Sequence, residues 1–454
     1  MQNSIIQKYN VPGPRYTSYP TVPYWEEEKF TANAWTDTLL RAFNESNDSE
    51  GISLYIHLPF CESMCTFCGC NKRITRRHEV EDPYITAVLK EWEMYCQLLP
   101  ARPRIKELHL GGGTPTFFSP ENLERLIKGI LDKADIAQGY EFSFEGHPNN
   151  TTRKHLQTLF DLGFRRVSFG VQDYNEKVQI AINRIQPFHN VAKVTFWAKE
   201  IGYTSISHDL VFGLPFQTVA NITDTIEKTK SLNPDRISFY SYAHVPWIKG
   251  NGQRGFDESN LPQDDEKRML YETGKNLLAE KGFHEIGMDH FALETDSMYT
   301  AFCTGMLHRN FMGYSASKTK LMIGLGVSSI SDSWYSFAQN EKNLEEYYRM
   351  IESGRLPVFR GHLLNDEDLV IRKHILNLMC GFTTSWNGGD GTFAELPDVL
   401  LSLKEMEDDG LLELYRDHIV VTEKGKPFVR NICMAFDLRL RRKAPDTKLF
   451  SMTV

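Results

Sequence analysis

The run Ser53-Leu54-Tyr55-Ile56-His57-Leu58-Pro59-Phe60-Cys61-Glu62-Ser63-Met64-Cys65-Thr66-Phe67-Cys68-Gly69-Cys70 joins two signals. Residues 53–57 form a short apolar and aromatic run that reads as a β-strand. The remainder places four thiols immediately after it. Outward from this stretch, five further runs of the same kind follow, at 107–110, 141–145, 166–171, 205–212 and 236–242. Between them lie amphipathic segments that predict helices at 84–98, 121–133, 153–162, 191–201 and 222–231. Strands alternating with helices imply βαβ units and a parallel sheet. Right-handed crossovers then give either a partial (β/α)6 barrel or an open doubly wound sheet, and spacing alone does not choose. The loops after the strands read Gly111-Gly112-Gly113-Thr114-Pro115, Gly146-His147-Pro148, Gln172-Asp173 and Gly213-Leu214-Pro215. Parallel sheets bind ligands at the carboxyl ends of their strands, so the unusual chemistry gathers at one edge.

The chain has 454 residues, enough for two or three domains. Residues 1–50 are rich in turn formers and aromatics and are expected to pack on the barrel as an extension. Residues 51–364 hold the βα repeats. Residues 365–454 predict a mostly helical domain: helices at 368–379 and 396–409, a strand pair at 411–414 and 418–421, and a helix at 423–436. That order is winged-helix-like. DNA binding is the obvious reading of such a shape, but Lys plus Arg is 51 against 59 Asp plus Glu, a net charge of -8, where a nucleic-acid binder is usually basic. A docking or lid role fits better. No apolar run reaches membrane-spanning length. Met1 to Asn10 is polar, without a signal core, so a cytoplasmic setting is expected.

Eight cysteines are too few for a disulfide scaffold in a chain this long. Cys96, Cys303, Cys380 and Cys433 stand singly and read as small buried hydrophobes. Cys61, Cys65, Cys68 and Cys70 do not. Iron–sulfur clusters are held by thiolates on short loops. Structural zinc takes separated pairs of ligands, and no second Cys or His pair follows at such spacing, although His57 is near. Three thiolates on a four-iron cluster leave one iron open, as a catalytic metal requires.

Cys61-x3-Cys65-x2-Cys68, with Phe67 beside the third cysteine, resembles the signature of the radical S-adenosylmethionine (SAM) superfamily. The longer string from Tyr55 to Cys70, followed by Asn71-Lys72, is similar to the oxygen-independent coproporphyrinogen III oxidase family. Further strings carry the likeness: Gly13-Pro14-Arg15-Tyr16-Thr17-Ser18-Tyr19-Pro20, Gly170-Val171-Gln172-Asp173, Tyr242-Ala243-His244, Leu307-His308-Arg309-Asn310-Phe311 and Arg430-Asn431-Ile432-Cys433. The resemblance runs from about residue 5 to the C-terminus and selects the partial barrel.

What this resemblance implies is specific. Cys61, Cys65 and Cys68 ligate a 4Fe-4S cluster whose free iron is chelated by SAM. Reductive cleavage of SAM gives a 5′-deoxyadenosyl radical. That radical takes a hydrogen atom from a propionate β-carbon, and loss of carbon dioxide and an electron leaves a vinyl group. Two propionates of coproporphyrinogen III react, giving protoporphyrinogen IX. Tyr55, Phe67, Gly111, Gly112, Gly113, Thr114, Glu145, Gln172, Arg184, Asp209, Ala243 and Ile330 fall where the family contacts SAM, and a second SAM beside the first is a family expectation. Cys70 is a family cysteine of underived role, grouped with Tyr55 and Arg15 as catalytic candidates. Arg15, His308 and Arg309 are the candidate cations for substrate carboxylates, since guanidinium suits bidentate carboxylate recognition. An external low-potential electron donor, an electron acceptor and a monomer are also implied.

Two departures stand out. The family's Glu-Val-Asp-Pro after the third strand is here Glu145-Gly146-His147-Pro148, and its Gln after Arg309-Asn310-Phe311 is here Met312. Two other readings remain in view. A haem chaperone or haem-degrading relative shares the cluster, although the chaperones lack Cys70 and the N-terminal string. A zinc-stabilised winged-helix protein would be colourless and bind DNA in a salt-sensitive way.

Overall fold

A computed structural model describes every residue except 1, 248–251, 254, 388–390, 446–448 and 454. All six anticipated runs are strands: β1 (Ile52–Leu58), β2 (Arg104–Gly112), β3 (Asp135–Gly146), β4 (Arg166–Gln172), β5 (Ser205–Phe212) and β6 (Arg236–Ser241). They lie side by side in chain order and pair in parallel throughout. A doubly wound sheet reverses its strand order at a switch point. This one never does, so successive right-handed crossovers put every helix on the same face and the sheet curls into a partial barrel.

The sheet is wider than the sequence suggested. The hairpin strands β7 (His284–Gly287) and β8 (His290–Ala292) extend it beyond β6. On the other side β9 (Met322–Leu325) pairs in parallel with β1. Then β10 (Ile330–Asp332), β11 (Ser336–Asn340) and β12 (Val358–Leu363) add antiparallel strands, making twelve in one sheet.

The elements form for local reasons that recur. Helix Pro120–Leu131 begins with Pro at its first position and with Ser119 accepting a hydrogen bond from the Asn122 N–H. It buries Leu123, Leu126, Ile127 and Ile130, one stripe at helical spacing. That stripe meets Leu108, Leu110, Phe142 and Phe144 of the sheet in the main core.

The two ends of the chain meet each other. Helix Ala32–Ser46 packs Trp35 and Leu39 into the barrel's core. The Gly13–Pro20 string buries Tyr16 and Tyr19 among Ile371, Ile375, Leu378, Ile432 and Phe436 of the C-terminal helices, while its Arg15 reaches the Ser241 carbonyl at the end of β6. Arg430 explains this placement: its guanidinium donates to the Gly13 and Pro14 carbonyls. The C-terminal region contains helices Asp366–Gly381 and Leu396–Asp408 and a three-stranded sheet, Thr383–Ser385 with His418–Val421 and Leu412–Leu414. Its last long helix begins at Val429 rather than 423, because Gly425 and Pro427 form a separate short turn first.

The amino ends of the barrel strands are closed by paired buried charges. Asp296 accepts from Arg236 Nε at 2.5 Å and from Ser205 Oγ at 2.7 Å. Glu107 accepts from Ser53 at 3.0 Å and Ser315 at 2.7 Å, and Arg166 pairs with Glu141. Among the described residues no helix is long and apolar enough to cross a membrane.

Candidate active site

The cysteine loop leaves β1 at Pro59. Phe60–Cys61 forms a two-residue strand that pairs in parallel with Arg73–Ile74. Between these strands the loop carries Cys65, Cys68 and Cys70, all as free thiols. It is anchored through its backbone. Thr66 N–H donates to the Ile182 carbonyl at 3.0 Å and Asn183 Nδ2 to the Met64 carbonyl at 2.8 Å. Lys72 Nζ donates to the Cys68 carbonyl at 3.2 Å. Gln253 donates to the carbonyls of Ala243, at 2.9 Å, and Phe67, at 3.3 Å, tying the loop to the segment after β6.

One cleft of about 320 Å³ opens at the carboxyl ends of β1–β5 and receives most of the expected residues. Cys61, Cys65, Cys68, Cys70 and Phe67 line one wall. Gly112, Gly113, Thr114, Glu145, Gln172, Arg184 and Asp209 line the rest. Thr114 Oγ1 lies 3.3 Å from Cys61 Sγ, while burial pushes the Cys61 thiol up to about 11. The neighbouring Cys68 and Cys70 thiols act on each other, holding Cys68 below and Cys70 above the usual thiol range.

The polar groups of this cleft are under-satisfied. Arg184 donates to the Gly170 carbonyl at 2.6 Å and lies 3.7 Å from Cys65 Sγ, but its Nε is buried without a partner. Asp209 accepts from Ser168 Oγ at 2.7 Å, and burial raises its carboxyl to about 6. Glu145 has only a long contact to His109 Nε2, at 3.5 Å, and its side chain is 46% exposed. Gln172 sits at φ +68°, a left-handed backbone rare for non-glycine residues, where β4 bulges against β5.

The glycine turn is held by its neighbours. A Cβ on Gly113 would lie 2.6 Å from the Pro59 backbone, and one on Gly112 (φ +114°) 2.7 Å from His57. A Cβ on Gly111 would meet Tyr55 at 3.0 Å and Glu145 at 3.1 Å. These glycines therefore let β2 close onto β1 and bring the carboxyl ends of both strands to the cleft. Tyr55 lies beneath the lining, its hydroxyl 3.0 Å from His57 Nδ1 and its ring stacked on His109. His57 Nε2 is 2.9 Å from the Asn71 carbonyl, bracing the far end of the cysteine loop. Ala243 follows β6, and Ile330 is in β10, two strands from Tyr55; neither lines the cleft.

The three substrate candidates do not converge with the thiols. Arg15 lies in a small pocket of about 50 Å³ with Arg430, Lys267, Arg268 and Lys426, donating to Asp289 at 3.2 Å and the Ser241 carbonyl at 3.0 Å. Arg309 is buried and donates to the Tyr16 and Arg15 carbonyls, so it acts on Arg15 through the backbone. His308 lines a different cavity of about 460 Å³ beside Lys318, Lys320 and Trp334, and burial lowers its imidazole to about 4. Met312 sits in the turn of the His308–Asn310/Gly313–Ser315 hairpin, its N–H on Asn310 Oδ1. His147, by contrast, lines the cleft, with burial holding it well below the ordinary histidine range. Asn149, Asn150 and Asn183 line it as well. The sequence reading missed these asparagines, although their position in loops after β3 and β4 was a usable signal.

Among the described residues no three His, Cys, Asp or Glu side chains converge on a single-ion position. A tetrahedral zinc, with thiolates about 2.3 Å from the metal, needs that convergence. Cys61, Cys65 and Cys68 instead line one wall of the cleft, with an unpartnered guanidinium nitrogen and two acidic groups facing the remaining space. That donor set fits a three-thiolate cluster with a polar ligand beside it.

A family model for the Radical SAM superfamily matches residues 55–229. The oxygen-independent coproporphyrinogen III oxidase of Synechocystis sp. is 37% identical, covering 99% of this chain and 97% of that protein. The Escherichia coli protein of the same name is 37% identical over 97% of this chain and 96% of its own length. The solved structure of coproporphyrinogen III oxidase (HemN) from Escherichia coli, described as a radical SAM enzyme, superposes with a TM-score of 0.87 at 35% identity, covering 93% of this chain and 97% of that one. With a thiol-lined cleft at the carboxyl edge of a partial barrel and these relatives along almost its whole length, the chain belongs to the oxygen-independent coproporphyrinogen III oxidase family of radical SAM proteins.

Proposed function

We propose that this chain carries out the oxidative decarboxylation of two propionates of coproporphyrinogen III to vinyl groups, giving protoporphyrinogen IX. The observation that carries the proposal is the joint lining of one cleft by Cys61, Cys65 and Cys68 on one side and Glu145, Gln172, Arg184 and Asp209 on the other. A 4Fe-4S cluster with SAM supplies the 5′-deoxyadenosyl radical that starts the reaction; the protein supplies placement and the exclusion of competing reactions.

Cys61, Cys65 and Cys68 are the residues that hold the cluster. Lys72, Asn183 and Gln253 fix the backbone between those thiols. Asp209 and Glu145 would accept hydrogen bonds from ribose and ammonium groups of SAM, and Arg184 would offer its unpartnered Nε to a carboxylate. Two SAM molecules occupy the region side by side. Tyr55 is a positioning residue, orienting His57 and the loop end. Arg15 is the cation we place nearest the substrate's carboxylates, steadied by Arg309 through its carbonyl. The chain takes an electron from an external donor and returns one to an acceptor. It works as a monomer in the cytoplasm.

The test is anaerobic incubation of the reconstituted protein with SAM, a reductant and coproporphyrinogen III. Protoporphyrinogen IX and 5′-deoxyadenosine are expected together. SAM cleavage without any decarboxylated porphyrinogen would overturn the substrate assignment.

A further inference from the structure

From Ser63 to His78 the chain carries four cations, Lys72, Arg73, Arg76 and Arg77, and no carboxylate, in a protein of net charge -8. Arg73, Ile74, Arg76, Arg77 and His78 are all exposed. Arg73 reaches Glu345 at 3.3 Å, with both side chains mostly in solvent, a pair worth little. No carboxylate among the described residues pairs with Arg76 or Arg77. Ile74, between them, is 42% exposed. An exposed apolar side chain flanked by arginines with weak or no carboxylate partners has the composition of a protein-binding surface.

Its position gives that surface a purpose. Arg73–Ile74 pairs directly with Phe60–Cys61, Cys61 opposite Ile74. Arg73 N–H donates to the Pro59 carbonyl at 2.8 Å and Thr75 N–H to the Cys61 carbonyl at 2.9 Å. One hydrogen-bonded strand therefore separates a basic outer face from the first cysteine of the loop.

We propose that Arg73, Ile74, Arg76 and Arg77 form the docking surface for an acidic, low-potential, one-electron carrier protein. The inference rests on the radical reading above, which needs an electron delivered at the cysteine loop. One electron leaves the reduced carrier and is gained by the cluster; no bond or proton moves in this step. Opposite charges on the two surfaces steer the encounter and fix its orientation.

The test compares two reductants in the anaerobically reconstituted full chain, reading SAM cleavage as 5′-deoxyadenosine. It also measures flavodoxin binding to the apo-protein directly, which the Glu variant should weaken and the Lys variant retain; unchanged binding in the Glu variant would overturn the docking surface. The reductants are a purified flavodoxin, which is an acidic flavoprotein, and dithionite, which needs no docking. In the Arg76→Glu/Arg77→Glu variant, flavodoxin-driven cleavage should fall roughly tenfold or more, while dithionite-driven cleavage stays within about twofold. Raising the salt from about 0.05 to 0.3 M should slow the wild type with flavodoxin and not with dithionite. Arg76→Lys/Arg77→Lys should retain the flavodoxin-driven rate. An unchanged flavodoxin-driven rate in the Glu variant, or an equal loss with both reductants, would overturn the docking surface. Wild-type protein that cleaves no SAM even with dithionite would instead overturn the radical reading, and the docking role with it.

Discussion

The two ends of the barrel solve opposite problems with similar residues. At the amino ends of the strands, most buried charges find partners within the protein: Asp296 with Arg236 and Ser205, Glu107 with two serines, Arg166 with Glu141, although Arg236 Nη1 is left without one. At the carboxyl ends, Arg184 leaves its Nε unpartnered, Glu145 has one long contact and Asp209 is driven toward its neutral form. Buried polar groups are expensive to leave unmade. The first end pairs most of its charges within the fold, and the second turns Glu145, Asp209 and Arg184 toward the cleft.

The largest effect that would break this contrast is at the cleft. Cys65→Ala should lose bound iron and SAM cleavage to background, with the unfolding free energy of the apo-protein changed by no more than about 0.5 kcal/mol. Iron analysis and denaturant titration check both parts; normal turnover would remove Cys65 from the ligand set. At the other end, Asp296→Ala strips the partner from a buried guanidinium. Removing one member of such a pair costs about 3–5 kcal/mol, visible as a lowered denaturation midpoint. If Asp296→Ala were neutral, the base would not be the stabilising end.

Asp209 sharpens the comparison through pH. Its carboxyl is raised to about 6 by burial, so the folded chain holds its proton longer than the unfolded chain does. Its contribution is complete below the ordinary aspartate range and is lost as pH rises from about 4 to about 6, on the order of 2–3 kcal/mol in all. Asp209→Asn apo-protein should lose less stability than wild type across that window; parallel stability curves would contradict the placement. Smallest and most selective is Arg15→Ala, which should weaken conversion of coproporphyrinogen III by more than it weakens uncoupled SAM cleavage. Equal loss of both would remove Arg15 from the substrate region.

The same contrast explains what could be read from the chain. The six parallel strands were legible because short apolar or alternating runs recur between helical segments. β11 was not: Ser336–Asn340 is fully buried although three of its five residues are polar, because Asn340 bonds Glu91 at 2.6 Å and Ser336 bonds Thr38 at 2.6 Å, partners far away in sequence. The thiols were legible because a short loop fixes their spacing locally. Arg15, His308 and Arg309 were not separable, since which cation faces which cavity depends on the packing of the two chain ends. The C-terminal string around Arg430 shows the same dependence: its part is to bind the carbonyls of Gly13 and Pro14.

The most direct measurement is anaerobic reconstitution followed by iron and sulfide analysis and electron paramagnetic resonance of the reduced protein, with and without SAM. The account predicts about four irons and four sulfides per chain and a reduced-cluster signal that changes shape when SAM is added. Colourless protein holding zinc alone, or a cluster signal indifferent to SAM, would contradict it.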